Sequence, residues 1–426
     1  MQLLQLSLLT SSLISLTNAV GPAKNCGLIN KMKCPQGLNP CCSQFGECGA
    51  GAFCLGGCDP RYSATQDSCM PAPISRGGSW PFSSRAQITD AHEYLGDASK
   101  ADWVMMEGGE MTVDDKSSVT LKMGKEKAQT GTVFSSASYI WYGKVKASIK
   151  SSRGAGVVTG FMLFGNTRDE IDFEWTGNDL GKVQTNFYFQ GVENHTNFFH
   201  YPTPEKPNPA YKPFNTFSEW HEYEIDWTPD SIKWKMNGVL IREKKKADTM
   251  QSDGLYHYPQ TPCRVQFSIW PGGAANAPTG QRDWAGGNID WVNHPDIKEM
   301  GYYYTSIKDV SITPYEPPKG TKIDGKKSYI WMNPAKNWTQ EEVVMSDASS
   351  ILASPISNGQ PSSKVWSLVS EEDLKGIETL PGLVGTGRIV LGGSKGKDGV
   401  ISAYSGAARV VVARLAVVAA VFAVFI

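Results

Sequence analysis

Between about Asp90 and Pro314 the apolar residues come in short runs, alternating with polar positions or continuous, and broken by Gly, Asn, Asp and Pro. Ser138 to Ile149, Val157 to Phe164, Val183 to Phe189, Trp220 to Trp227, Ser231 to Met236 and Arg264 to Ile269 are such runs. Many short strands at regular spacing predict an all-β sandwich. Asn237-Gly238, between Ile232–Met236 and Val239–Arg242, predicts a hairpin, since a type I′ turn favours that pair. Long helical periodicity is absent from this region. One run stands apart: Asp169-Glu170-Ile171-Asp172-Phe173-Glu174-Trp175. As a strand it puts Glu170, Asp172 and Glu174 on one face and Ile171, Phe173 and Trp175 on the other. Three like charges on one face repel and are costly to desolvate, so that face is either a solvated edge or chemistry. Retaining glycoside hydrolysis asks for two carboxylates about 5 Å apart, one nucleophile and one acid/base. Residues four apart on a strand are about 13 Å apart at Cα. The two glutamates must lean together, and the shorter aspartate suits the middle. Adjacent like charges also push the pKa of one of them up.

The pattern changes at both ends. Leu3 to Leu16 is leucine-rich, and Thr17-Asn18-Ala19 supplies small residues, which predicts a secretory leader over 1–19 cleaved after Ala19. A buried helix would give the same run, but its place at the extreme N-terminus favours the leader. The last residues, Leu415 to Ile426, are wholly apolar and too few for a comfortable membrane span. Small residues at Ser405-Gly406-Ala407 precede them, which predicts a glycosylphosphatidylinositol signal over 405–426 with attachment at Ser405. A marginal tail anchor is the alternative. Residues 71–89, rich in Pro, Ser and Gly, read as a linker. Residues 316–404 read as a tether, strongest from about Asp347, although Tyr329-Ile330-Trp331 is apolar enough to pack back.

Composition adds exclusions. The 426 residues carry 41 basic and 42 acidic side chains, a formal charge of −1, which gives no footprint for nucleic acid. No Cys/His spacing resembles a zinc site, no phosphate-binding glycine loop stands out, and neither metal nor cofactor is expected. Asn194-His195-Thr196 and Asn337-Trp338-Thr339 are glycosylation sequons, giving Asn194 and Asn337 as acceptors. Cys263 reads as a buried free thiol in a strand.

Cys26, Cys34, Cys41, Cys42, Cys48, Cys54, Cys58 and Cys69 crowd residues 20–70, a disulfide scaffold whose spacing leaves many connectivities open. The stretch Cys41-Cys42-Ser43-Gln44-Phe45-Gly46-Glu47-Cys48-Gly49 resembles hevein-type chitin-binding modules. That resemblance implies the pairs Cys26–Cys42, Cys34–Cys48, Cys41–Cys54 and Cys58–Cys69. It also implies a sugar site built from Ser43, Phe45 and Phe53, with Glu47 at the position of a third aromatic. A stapled spacer that binds nothing is the plainer alternative.

The acidic run is followed by Val183-Gln184-Thr185-Asn186-Phe187-Tyr188, His221-Glu222-Tyr223-Glu224-Ile225-Asp226-Trp227, Ser268-Ile269-Trp270-Pro271-Gly272-Gly273 and Asp283-Trp284-Ala285-Gly286-Gly287-Asn288-Ile289-Asp290-Trp291. In that order the blocks resemble glycoside hydrolase family sixteen across residues 90–315. With the N-terminal module and the lipid-anchor signal they resemble the fungal Crh-type cell-wall transglycosylases. The resemblance implies a β-jelly roll, Glu170 as nucleophile, Glu174 as acid then base, and Asp172 holding the nucleophile. Trp270, Trp284 and Tyr188 are candidate sugar platforms, with Gln184, Asn186 and Gln266 as polar contacts. Trp175 shares the face of Phe173 and reads as core. The implied reaction moves a chitin chain to β-glucan at the wall or the outer membrane face, through a covalent glycosyl-enzyme. A chitin or β-glucan hydrolase is the alternative enzyme, and a non-catalytic chitin-binding wall protein the alternative of another class.

Overall fold

The computed structural model describes residues 26–359 apart from 30, 38, 107–108, 115–116, 125–130, 203–212, 356 and 358. The leader, Ser405 and the apolar tail lie outside the described residues. Two eight-stranded sheets pack face to face. One runs in the order Val239–Lys245, Ser231–Met236, His221–Trp227, Gly143–Lys150, Tyr302–Pro314, Val119–Gly124 and Glu110–Val113, with Gly78–Trp80 pairing the far end of Tyr302–Pro314. The other runs Phe199–Tyr201, Val183–Tyr188, Glu170–Thr176, Val157–Gly165, Cys263–Pro271, Thr132–Ile140, Trp103–Met105 and Ile88–Asp90. Neighbours are antiparallel, except that Ile88–Asp90 runs parallel to Trp103–Met105. This is the sandwich that the alternation predicts. Asn237 and Gly238 take φ of 51° and 78°, the left-handed pair a type I′ hairpin requires.

The core is an aromatic stack between the sheets. Phe161 stacks on Phe173 at 5.9 Å and on Phe267 at 5.0 Å, and Trp175 meets Tyr223 of the opposite sheet edge-on at 4.7 Å. Ile171, Phe173 and Trp175 are almost wholly buried. Strand alternation therefore turns Glu170, Asp172 and Glu174 onto the outer face of their sheet.

The linker and tether expectations need correction. Within 71–89, Ala72–Pro73, Gly78–Trp80 and the first residues of Ile88–Asp90 are strands, and Phe82 is buried against Trp103 and Phe134. Two large aromatics, Trp80 and Phe82, draw the segment onto the sandwich despite its Pro/Ser/Gly content. Within 316–404, Lys322–Ile323, Ser328–Trp331 and Val343–Ser346 join Ala72–Pro73 in a four-stranded sheet. Tyr329 packs edge-on against the buried Trp141, at 5.6 Å.

The N-terminal module folds around Cys26–Cys42, Cys34–Cys48, Cys41–Cys54 and Cys58–Cys69. It is docked on the sandwich. The Gly57 N–H donates to Tyr139 Oη (3.1 Å) and to Asn166 Oδ1 (3.0 Å), and Arg264 Nη2 donates to Gln44 Oε1 (2.9 Å). A Cβ at Gly56 would lie 2.3 Å from Arg264 Nη1, so a larger residue there would push the guanidinium aside.

Candidate active site

Pairing of the strands lays out the outer face as rows. Glu170 lies between Tyr188 and Phe164, Asp172 between Asn186 and Met162, and Glu174 between Gln184 and Gly160. One strand further, Phe164, Met162 and Gly160 pair with Arg264, Gln266 and Ser268. The structure thus brings Gln184, Asn186, Tyr188 and Gln266 onto the same surface as the three carboxylates. Trp270 pairs with Val158 one row beyond Gly160 and stacks on Trp284 at 5.8 Å. Trp284 ends the short helix Thr279–Trp284, and its Nε1 donates to Gln184 Oε1 at 2.8 Å. Both indoles are half-buried, whereas Trp175 is core. Asn186 Nδ2 donates to Tyr188 Oη (2.8 Å), and Gln266 Oε1 accepts from Ser135 Oγ (3.1 Å). The polar floor is therefore pre-tied, and the indole pair stands at its Glu174 end.

Desolvation dominates the carboxylates. Burial, then the Asp172 and Glu170 charges beside it, push Glu174 well above the usual glutamate range. Burial, then Asp172, raise Glu170 to about 8, with Arg168 pulling the other way. Burial raises Asp172 to about 7, opposed by Arg242 and more weakly by the Asn186 amide, which makes no well-formed bond to either oxygen. The strongest upward pressure falls on Glu174, because the two charges that act on it, Asp172 and Glu170, are both anionic. Glu174 is thus held toward its protonated form, and Glu170 has one cation, Arg168, opposing its rise.

Support for the strand comes from residues that the sequence pattern does not mark. Asp169 is fully buried and accepts from the N–H of Gln190 (2.9 Å), Gln260 (2.8 Å) and Thr261 (3.0 Å) and from Thr261 Oγ1 (2.8 Å). It fixes the start of the strand. Trp234 Nε1, reaching from the opposite sheet, donates to the Asp172 carbonyl at 3.0 Å. Arg242 Nη1 donates to the Thr185 carbonyl at 2.7 Å, with its guanidinium 4.6 Å from the Trp234 ring centre. Asp169 adjoins the motif and could have been found by its position. Trp234 and Arg242 carry no sequence signal, because only the sheet packing brings them there.

The module's expected sugar contacts fare differently. Phe53 is 1% exposed, packed among Cys41, Cys54, Leu55 and Met70, so it has no face to offer a sugar. Ser43 is buried too, its Oγ accepting from the N–H of Phe45 (3.2 Å) and Glu47 (3.4 Å). Phe45 alone of the three is half-exposed. Packing against the catalytic domain and the C-terminal segment is the physical reason, and position in a motif does not reveal it. Asn194 and Asn337 are exposed, as an acceptor must be. Cys263 is buried and free, with Sγ directed at the Thr261 carbonyl, 3.2 Å away. Among the described residues, the one thiol and carboxylate cluster tight enough to hold a metal is Cys26, Cys34 and Cys48, and each is committed to a disulfide.

Residues 98–292 match the family described as glycosyl hydrolases family 16. The chain is 45% identical over 323 residues to Crh-like protein 2 of Aspergillus fumigatus, covering 75% of this chain and 69% of that protein. It is 42% identical over 316 residues to Congo red hypersensitive protein 2 of Saccharomyces cerevisiae, covering 74% of this chain and 64% of that one. Among solved structures, a Crh5 transglycosylase in complex with NAG superposes with a TM-score of 0.50 at 22% identity, over 65% of this chain and 95% of the other, a likeness of fold.

Proposed function

We propose that this chain, which belongs to the Crh-like members of glycosyl hydrolase family 16, is a cell-wall transglycosylase that cuts chitin and passes the cut chain to β-glucan. The observation that carries the mechanism is geometric: Glu170, Asp172 and Glu174 alternate along one strand on the outer face of the sheet, beside Gln184, Asn186 and Tyr188 of the next strand. Glu170 attacks the anomeric carbon while Glu174 gives its proton to the departing oxygen. A covalent glycosyl-enzyme results. Glu174, now a base, takes a proton from the incoming hydroxyl as that oxygen displaces Glu170. Asp172, between them, orients Glu170 and keeps Glu174 protonated. The stacked Trp270 and Trp284 offer apolar faces for sugar rings at the Glu174 end, and Gln184, Asn186, Tyr188 and Gln266 face the chain along the floor.

Whether water or a sugar takes the intermediate depends on the acceptor side of the cleft. Pairing of the eight N-terminal cysteines favours an oxidising compartment. Secretion through a leader ending at Ala19, lipid attachment at Ser405 and glycans on Asn194 and Asn337 belong to the same reading. So do a removed segment over 405–426 and a role at the wall or outer membrane face.

Chitin oligomers incubated with a fluorescent β-glucan oligomer test it. Labelled products of higher mass are expected from the native protein, and none from Glu170→Gln or Glu174→Gln, both still folded. Shortened chitin without labelled product means hydrolysis, and binding without product means a lectin. A fully active Glu170→Gln protein would sink the assignment of the nucleophile.

A further inference from the structure

The turn that feeds the carboxylate strand runs Gly165-Asn166-Thr167-Arg168-Asp169. It is closed by Arg168 N–H to the Gly165 carbonyl and Gly165 N–H to the Asp169 carbonyl, both 2.9 Å. Arg168 takes φ of 62°. Hairpin loops of this kind normally place glycine at the left-handed position, because a side chain there is strained. Here that position carries an arginine, two residues before Glu170. Its stem runs past Gly191, where a Cβ would come within 3.1 Å of Arg168 Cβ and Cδ, and its guanidinium reaches the N-terminal module. Arg168 Nε lies 3.4 Å from Asp59 Oδ2, with side chains 22% and 1% exposed.

Asp59 is held from the module's side. Its N–H donates to the Cys42 carbonyl at 2.8 Å, and it follows Cys58, which is bonded to Cys69. Arg61 clamps the carboxylate with Nε on Oδ1 at 2.9 Å and Nη2 on Oδ2 at 2.8 Å. The same Arg61 donates through Nη1 to the Gln190 carbonyl at 3.1 Å, and the Gln190 N–H bonds Asp169. Two links thus run from the disulfide scaffold to the residues flanking Glu170.

We propose that the N-terminal module is coupled to the active site, with Asp59 as a positioning residue that holds Arg168, and the turn it belongs to, in place two residues before Glu170. The proposal rests on Glu170 being the nucleophile. The titratable groups on the face of Glu170 are Asp172 and Glu174 on its own strand, Tyr188 opposite it, Arg168 from the turn, and Arg264 two strands along the same row, bonded to Gln44; the Cys263 thiol lies on the core side. Of the two cations, Arg168 is the one that opposes the rise of Glu170. Burial and Asp172 raise Glu170, and Arg168 is the opposing influence. Arg168 itself faces Asp59, which Arg61 clamps. The strained backbone at Arg168 and the close approach at Gly191 fit a side chain whose place is set by what it reaches.

An epoxyalkyl β-glycoside of an N-acetylglucosamine oligomer alkylates a retaining nucleophile. Peptide mass mapping identifies the labelled residue, and the acid limb of the inactivation rate against pH reports its ionisation. With the full chain and intact disulfides, Arg168→Gln moves that limb up by about one pH unit. Asp59→Asn moves it the same way, because Arg168 is released. Arg168→Lys, which keeps the charge, restores most of the native limb. A downward shift in Asp59→Asn would make Asp59 a bare repelling charge. Unmoved limbs in Asp59→Asn and Arg168→Gln with a lowered Tm would make the contact packing alone. Either overturns the coupling. Label on a residue other than Glu170 overturns the reading of the site and the coupling with it. If Asp59→Asn does not fold, Arg168→Gln decides, since that side chain is partly exposed: an unmoved limb overturns the proposal.

Discussion

Burial lifts the Glu170 carboxyl from an ordinary 4.5 to about 8, so the native state holds a proton that the unfolded chain has released. Within that window the unfolded state binds fewer protons than the native state, and stability falls as pH rises. Glu174, raised well above the usual range by burial and two carboxylates, extends the loss upward. Glutamine keeps the shape and removes the ionisation. Glu170→Gln and Glu174→Gln are therefore expected to melt above the native protein at pH 8 and close to it at pH 4, by scanning calorimetry. Equal or lower Tm at pH 8 would mean that the charges stabilise the fold. A gain in stability with loss of turnover marks a group kept for chemistry.

The carboxylate strand works because of what the strands beside it lack. Gly160 pairs with Glu174 on one side and Ser268 on the other. A Cβ at Gly160 would come within 2.8 Å of both Met162 Cε and Ser268 Oγ. A branched side chain there would stand on the floor next to the acid. Gly160→Val is expected to lower kcat/KM at least about tenfold through a misplaced glycan, while circular dichroism and the disulfides stay native. Activity within twofold of native would place the glycan elsewhere. At this scale the sequence was most readable. Period-two alternation located Ile171, Phe173 and Trp175 in the core and the carboxylates outside, and the Asn237-Gly238 turn was legible because φ above zero limits the residues that fit. Arg242 and Trp234 were not legible, since they reach Thr185 and Asp172 only through packing of one sheet on the other. The strands in 71–89 and 322–346 were masked by turn-forming composition, although Trp80, Phe82 and Tyr329 were visible as anchors.

Across the whole molecule the N-terminal module and the C-terminal segment meet. The chain leaves Val343–Ser346, places the Leu352 N–H on the Leu95 carbonyl (2.8 Å), and buries the Leu352 side chain with Phe53, Cys41, Cys54, Leu55 and Met70. Ser350 Oγ donates to the Gly96 carbonyl at 2.7 Å, and the Ser357 carbonyl accepts from the Gly51 N–H at 2.7 Å. On the other side, Gln66 Nε2 donates to the Met332 carbonyl at 2.6 Å, and Asn333 Nδ2 to Asp67 Oδ2 at 2.9 Å. A tethered binding module would melt by itself. This one takes a core residue from a segment some three hundred positions away and shares hydrogen bonds with the sandwich, so it should unfold with it. Calorimetry of the native protein is expected to show one cooperative transition with the disulfides intact. Leu352→Ala removes a side chain from the module's core and should cost about 2–5 kcal/mol, lowering that single transition. A separate, earlier transition in the native protein would mean an independent module. Because Asp59 lies in the same module, a variant that loosens it without unfolding it should also weaken the hold on Arg168. Leu352→Ala is then expected to move the acid limb of activity upward at temperatures well below its Tm, and Leu352→Met, which refills the space, to leave it in place.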